Sequence, residues 1–137
     1  MADITLTYSD EGLPKLVEFL VNKTAPGNLV LRSFVNDATI TEATVLTDLT
    51  EATSYTEATL TGATWGAGAY TGGKGSTTYG ASVDLDYTGS HTVYGVYLTD
   101  ASETYLVGAA KFAVAQPVAD GSTITLSSII LTTDNVA

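Results

Sequence analysis

The chain has 137 residues, which is enough for one compact domain and too few for two. Hydrophobic residues make up 45% and charged residues 15%, so the chain can bury a core and is not disordered by composition. Five Lys and Arg stand against fifteen Asp and Glu, and the resulting net charge of −10 repels nucleic-acid phosphates and anionic lipid headgroups. We therefore expect neither nucleic acid nor a membrane as a partner.

The sequence contains no cysteine, which excludes disulfides, thiolate metal sites and thiol nucleophiles. Residues 1–12 lack a basic stretch followed by an apolar run, so we expect no signal peptide. No apolar run reaches the ~20 residues that a membrane-spanning helix needs. The sequence Asn22-Lys23-Thr24 matches a glycosylation sequon, which we interpret as a chance match at a helix end.

Two elements are predicted at the start of the chain. Residues 1–10 form an N-terminal strand or arm whose apolar side chains alternate at Ile4, Leu6 and Tyr8. Leucine and valine then recur at helical spacing, which predicts one short amphipathic helix over about 11–22. Ser9 or Asp10 is the expected N-cap, because a short polar side chain can accept a hydrogen bond from the first turn.

Short β-branched and aromatic runs, bounded by turn residues, predict strands over 28–37, 83–87, 92–98, 104–109, 122–126 and 128–132. Residues 93–98 are apolar on both faces and indicate a central strand, with Gly95 where another group approaches closely. Asp84 and Asp86 alternate with apolar residues, which indicates a peripheral strand with one wet face. We predict a mainly β fold, a jelly-roll-like β-sandwich of about eight strands with residues 11–137 as one domain.

The middle of the chain contains a repeated four-residue motif and a glycine-rich stretch. Thr-Glu-Ala-Thr occurs at 41–44, 50–53 and 56–59, at unequal spacings that we interpret as compositional bias. Residues 65–75 are predicted to form an exposed loop. Residues 68–74 match the first seven positions of a P-loop, but Gly75 replaces the magnesium-ligating Ser or Thr and no helix is predicted to follow.

Two polar groups could carry chemistry. His91 is the single histidine and follows Ser90, but adjacent strand residues point to opposite faces, so we interpret this segment as a turn and expect no enzyme activity. Asp84, Asp86 and Asp100 leave open a structural cation site, although paired acids in an acidic protein are usually a solvated face. We predict neither a bound metal nor a cofactor.

Four segments carry a family resemblance: residues 20–37 (LVNKTAPGNLVLRSFVND), 55–63 (YTEATLTGA), 93–101 (VYGVYLTDA) and 120–126 (DGSTITL). In this order they resemble small virion structural proteins of tailed bacteriophages, of the head decoration (cement) or tail-associated kind. The resemblance implies a non-enzymatic protein on the outer surface of the capsid, made in the bacterial cytoplasm. Its implied partners are the major capsid protein and copies of itself, as a homotrimer.

Candidate partner-contact residues lie in three places. The N-terminal strand could add to a neighbour's sheet edge, and the 132–137 tail is a second candidate. Three aromatic residues flank the glycine-rich stretch and could form a platform for a sugar or protein partner, or cap the core. The candidates are Ile4, Leu6, Tyr8, Trp65, Tyr70 and Tyr79. The alternative function is a tail-associated or tail-fibre receptor- or carbohydrate-binding module, although the chain carries no fibrous repeat or coiled coil.

Overall fold

The structure is a computed structural model that describes residues 4–133. Its helices are α1 (Leu13–Leu20) and three 3-10 turns at Asp10–Gly12, Leu46–Asp48 and Gly62–Thr64. Its strands are β1 (Ile4–Tyr8), β2 (Leu29–Phe34), β3 (Tyr55–Thr56), β4 (Ala58–Leu60), β5 (Ala69–Thr71), β6 (Lys74–Tyr79), β7 (Val83–Tyr87), β8 (His91–Asp100), β9 (Leu106–Val118), β10 (Thr123–Leu126) and β11 (Ile129–Thr132).

The strands form two sheets. The large sheet has the order β4-β2-β8-β9-β1-β11-β6-β5, and the small sheet has the order β10-β7-β3. The large sheet is curled, because an antiparallel bridge joins Trp65, just beyond β4, to Tyr79 at the end of β6. The mainly β fold with one short helix near the N-terminus is confirmed, and the two sheets are consistent with a β-sandwich.

The main core lies between the two sheets. Alternate residues of β7 and β10 point inward and meet the large sheet, as the alternation of a half-buried strand requires. A second apolar cluster lies on the other face of the large sheet, where Phe34 and Tyr97 meet side chains of the 35–50 segment. Both faces of β2 and of the second half of β8 are therefore covered, which explains why residues 30–34 and 95–99 are all buried.

The prediction of a central strand at 93–98 is confirmed. β8 pairs with β2 on one side and β9 on the other. A Cβ at Gly95 would clash with the backbone oxygen of Ala110 and lie 2.6 Å from the ring of Phe34, so only glycine fits. The strand at 83–87 is confirmed with its wet face, but β7 is the middle strand of the small sheet and not peripheral.

The N-terminal strand is confirmed, but it occupies the interior of the chain's own sheet. β1 pairs antiparallel with β9 and parallel with β11. Ile4 is 8% exposed and Leu6 is fully buried. These side chains are not available to a partner in this fold, which corrects the prediction of an intersubunit arm. Residues 1–3 and 134–137, including most of the candidate tail, lie outside the described range.

The glycine-rich stretch is a hairpin where the sequence predicted an exposed loop. β5 and β6 pair antiparallel around Gly72 and Gly73, which have φ values of 60° and 80°. A two-residue turn with positive φ at both positions matches the twist of a hairpin, and glycine adopts it without strain. A strand follows Lys74, so the P-loop match has no helix N-terminus to hold a phosphate.

Candidate functional site

An apolar cleft of about 690 Å³ lies at one end of the curled sheet, beneath α1. Residues of seven strands of the large sheet line it, and concave apolar sites of this kind are common positions for ligand binding. Its apolar lining comes from the inner face of α1 and from the sheet: Leu16, Phe19, Leu29, Leu60, Trp65, Tyr105, Val107 and Leu131. The cleft therefore offers an apolar surface bordered by a few polar groups.

The turn that precedes α1 is firmly anchored to the sheet. Ser9 caps this 3-10 turn by accepting from the backbone N–H of Glu11, and its hydroxyl donates to the carbonyl of Thr44 at 2.6 Å. The Glu11 carboxylate accepts from the backbone N–H groups of Leu46 (3.0 Å) and Leu106 (2.7 Å). The prediction of Ser9 as N-cap is therefore confirmed for the turn from which α1 continues.

Helix α1 itself confirms the predicted amphipathic helix but is shorter than the predicted 11–22. Pro14 lies in its first turn, where a missing N–H costs nothing. The helix ends before Asn22, which has a φ of 57° and turns the chain away. Lys15 and Glu18 form an ion pair at 2.7 Å, and the Thr24 hydroxyl donates to Glu18 at 3.0 Å. These contacts fold the following loop back onto the helix.

The outer face of α1 is apolar and uncovered. Leu13, Val17, Leu20 and Val21 are 40%, 58%, 79% and 70% exposed. Positions 13, 17, 20 and 21 follow the spacing of one helix face, so their side chains form a continuous stripe. No residue of α1 is buried. We call these four side chains the α1 stripe.

Polar groups at the rim of the cleft are engaged within the protein. The Tyr8 hydroxyl donates to the carbonyl of Gly12 at 3.1 Å, and burial, aided by the nearby Tyr105, raises the pKa of Tyr8 to about 12. Asp100 accepts from the hydroxyl (2.6 Å) and backbone N–H (2.7 Å) of Thr104. Burial acts to raise the pKa of Asp100, but these hydrogen bonds outweigh it and hold the pKa below its usual value. Neither side chain presents an unpaired charge to a reactant.

A buried cation, Arg32 on β2, ties three loops together. Its Nη1 lies 3.0 Å from Glu51, 2.7 Å from Glu57 and 3.5 Å from Glu103. Its Nε donates to the Thr99 hydroxyl at 3.1 Å, and the residue is only 6% exposed. Burial and the charge of Glu51 raise the pKa of Glu103, although Arg32 acts in the opposite sense. This network holds the fold together, and Arg32 does not line the cleft.

Sequence reasoning missed the Arg32 network, although the signal was present. Glu51 and Glu57 are the glutamates of the second and third Thr-Glu-Ala-Thr copies, which we interpreted as compositional bias. Their spacing of six residues lets both reach one guanidinium from the two ends of β3. A single arginine in an apolar strand of so acidic a chain was the clue, because a buried charge must be paired.

The predicted aromatic platform is only partly assembled. Trp65 packs edge-on against Tyr79, with ring centroids 5.2 Å apart. Tyr79 is 7% exposed and belongs to the core, whereas Trp65 lines the cleft. Tyr70 is 79% exposed on β5 and has no ring contact with either of them. Trp65 and Tyr79 thus cap the core. Core capping was the alternative to a partner-binding platform that the sequence left open.

The other polar candidates are not brought together. His91 opens β8, and its Nε2 lies 2.6 Å from the carbonyl oxygen of Thr53. Asp84 and Asp86 accept hydrogen bonds from threonines of β10, while Asp100 ends a strand of the other sheet. Within residues 4–133 no group of three or more His, Cys, Asp or Glu could hold a metal ion.

Comparison of the chain with protein-family models, with curated proteins and with solved structures finds no match. Among the described residues, no helix is both long and apolar enough to cross a bilayer.

Proposed function

We propose that this chain is a non-enzymatic structural protein of a tailed-bacteriophage virion, bound to the outer surface of the head shell as a decoration protein. The observation that carries the proposal is the α1 stripe. Of the six large apolar side chains that are exposed among residues 4–133, three lie on α1 and a fourth, Val21, directly follows it. Contiguous exposed apolar surface on a small acidic domain is typical of a protein–protein contact site.

The polar groups of the protein support a structural role. The buried cation, Arg32, pairs with glutamates of three loops, and the single histidine, His91, forms a hydrogen bond with a backbone carbonyl. A decoration protein needs a rigid module with a solvated outer surface and a separate contact surface. The β-sandwich is the rigid module, and the acidic face of β7 and β10 is the solvated outer surface. The α1 stripe is the contact surface.

The proposed partners are the major capsid protein and copies of this chain, assembled as a homotrimer, as the resemblance implies. Bound copies would add contacts between neighbouring shell subunits, and such binding stabilises the assembled state by mass action. The net charge of −10 favours association with shell subunits of opposite surface charge and disfavours contact with packaged nucleic acid.

Gradient-purified particles from the phage that encodes this chain test the proposal. Mass spectrometry should detect the chain, and electron cryomicroscopy should show a β-sandwich of this size on the outside of the head. Heads stripped of the chain should release DNA at lower temperature, and adding the purified protein back should restore their stability. Absence of the chain from purified particles would contradict the proposal.

A second candidate function is receptor or carbohydrate binding by a tail-associated module. The cleft favours it in one respect, because Trp65 and Tyr105 present aromatic surface there. Density on the tail, together with binding of purified protein to host-surface glycans on an array, would support this candidate. Replacement of Trp65 with Leu should then abolish glycan binding without unfolding the sheet.

A further inference from the structure

The floor of the cleft beneath α1 is part of the protein core. Leu60 and Val107 line the cleft, are 1% and 4% exposed, and belong to the main core cluster. Leu29 and Leu131 also line the cleft and pack against that cluster. The cleft is therefore an opening into the core, which distinguishes it from an apolar patch on a convex surface.

The roof of the cleft is not packed onto this floor. Leu16 and Phe19 of α1 line the cleft, yet neither packs against a core cluster of residues 4–133. No residue of α1 is buried. Apolar side chains of the core and of the helix thus lie on two sides of a space that the described residues leave open.

The volume of this space is that of a small-molecule site. It measures about 690 Å³, within the range of about 300–1,000 Å³ that is usual for ligand pockets. A water molecule takes up about 30 Å³ in the liquid, so the cleft has room for roughly twenty groups of that size. Water itself suits the apolar lining poorly, because an ordered water needs several polar partners. An apolar molecule would restore the close packing that a protein core normally has.

Polar side chains around the cleft indicate the charge of the occupant. Lys15 and Asp100 line it with opposite charges, and both are already paired. Lys15 lies 2.7 Å from Glu18, which also accepts from the Thr24 hydroxyl, and Asp100 accepts from the hydroxyl and N–H of Thr104. An ionic ligand would lose hydration without gaining a free counter-ion, and the hydroxyls of a sugar would meet groups that are already engaged. These contacts favour a neutral ligand.

We propose that the cleft binds a neutral, largely apolar small molecule with an aliphatic or aromatic body of up to about twenty non-hydrogen atoms. The body lies between Leu60 and Val107 of the core and Leu16 and Phe19 of the helix, and it packs α1 onto the sheet. A single polar group on the molecule faces solvent at the mouth of the cleft. The site goes beyond the proposed function, because the α1 stripe on the outer face of the helix stays free to contact the shell.

The first test measures binding of N-phenyl-1-naphthylamine, a neutral probe whose fluorescence rises in apolar surroundings. Titration of the full chain should give a saturable signal with one probe per chain. Trp65, the single tryptophan, lines the cleft, so its emission should fall in proportion as excitation passes to the bound probe. A signal that rises linearly without saturation would overturn the inference, because it indicates non-specific contact with exposed apolar surface.

Competition tests the charge and polarity of the ligand. 1-Decanol should displace the probe, whereas decanoate and decylammonium, which add a charge to a chain of the same length, should require at least about tenfold higher concentrations. Glucose should not displace the probe. Equal displacement by the charged chains would contradict a neutral ligand, and displacement by glucose would support the carbohydrate-binding candidate instead.

Two variants of α1 locate the site. Leu16→Glu places a carboxylate in the cleft and should weaken probe binding by about tenfold or more. Phe19→Ala removes a ring from the roof and should weaken binding severalfold, and alanine is the best helix former, so this effect does not reflect loss of the helix. The matched control Val114→Glu changes a side chain that is 71% exposed on β9 and does not line the cleft, so it should bind the probe as the wild type does.

Circular dichroism of all three variants should match that of the wild type. Wild-type affinity in both α1 variants, or an equal loss of affinity in Val114→Glu, would overturn the inference.

The outcomes separate this site from the proposed function. A chain that is present on purified heads but shows no saturable probe binding overturns the apolar site and leaves the decoration role standing. A chain that binds the probe in the cleft but is absent from purified particles supports the site and contradicts the decoration role.

Discussion

Replacing Arg32 with Met should be among the most damaging single changes in this protein. The guanidinium is the shared partner of Glu51, Glu57 and Glu103, which come from three separate loops. Methionine fills a similar volume along the buried stem but leaves three carboxylates facing one another. We expect the loops to separate and the free energy of unfolding to fall.

The size of the loss follows from burial. Removing one partner of a buried ion pair costs about 3–5 kcal/mol. The three glutamate side chains keep 28%, 48% and 34% exposure, so they can recover part of their hydration once the cation is gone. We therefore expect a loss of about 3 kcal/mol, near the lower limit. For a domain of this size, such a loss lowers the melting temperature by about 10 °C.

Urea unfolding measures the loss directly, with the fluorescence of Trp65, the single tryptophan, as the probe. The matched control is Lys111→Met, which also removes one positive charge from an ion pair, with Asp37. Lys111 and Asp37 side chains are 38% and 66% exposed, so this change should cost less than about 1 kcal/mol. Equal losses in the two variants, or a loss below about 1 kcal/mol for Arg32→Met, would refute the reasoning.

Three further changes test other parts of the fold. Burial and the Glu51 charge raise the pKa of Glu103 when folded, so the folded state holds that proton more tightly and stability falls as pH rises from the usual glutamate value to the raised one. Glu103→Gln should remove this fall in stability, an effect below about 1 kcal/mol. Urea midpoints of the wild type and the variant that change in parallel across that pH range would contradict this expectation. Gly95→Ala should cost about 1–3 kcal/mol in urea unfolding because its Cβ meets a carbonyl and a ring, whereas Gly62→Ala, with open space, should cost little. Glu11→Ala leaves two backbone N–H groups without their acceptor and should lower the free energy of unfolding by about 1–3 kcal/mol. Amide hydrogen exchange at the start of β9 should become faster, and unchanged exchange there would show that Glu11 does not anchor the turn to β9.

Local patterns predicted most of the secondary structure. The alternation at 83–87 and the two-sided apolar run at 93–98 gave both strands and their burial, because side-chain period and burial are directly linked in a sheet. The helix followed from spacing, and the cap of the 3-10 turn before it followed from Ser9. These strands, the helix and the cap are each determined by a few residues that are neighbours in sequence, so a single sequence is enough to predict them.

Long-range pairing could not be predicted in the same way. An alternating strand such as β1 suits a free edge and a central position equally well, and only the partner strands β9 and β11 decide between them. The glycine-rich hairpin was missed because five of the eleven residues at 65–75 are glycine, a composition typical of a loop. The cleft needs residues from both ends of the chain, Leu16 and Leu131 among them, so no local motif could indicate it.

The position of β1 has a consequence for synthesis. Of the described strands β1 is made first, yet its neighbour β11 ends at Thr132, so β1 lacks one of its two partners until residues 129–132 have been made. Contacts between such distant segments form slowly, because a long loop must close first. A truncated product that stops before residue 129 lacks this neighbour and leaves an apolar strand edge open to aggregation or proteolysis. Only chains translated through β11 can complete the large sheet, so the topology disfavours copies that stop earlier.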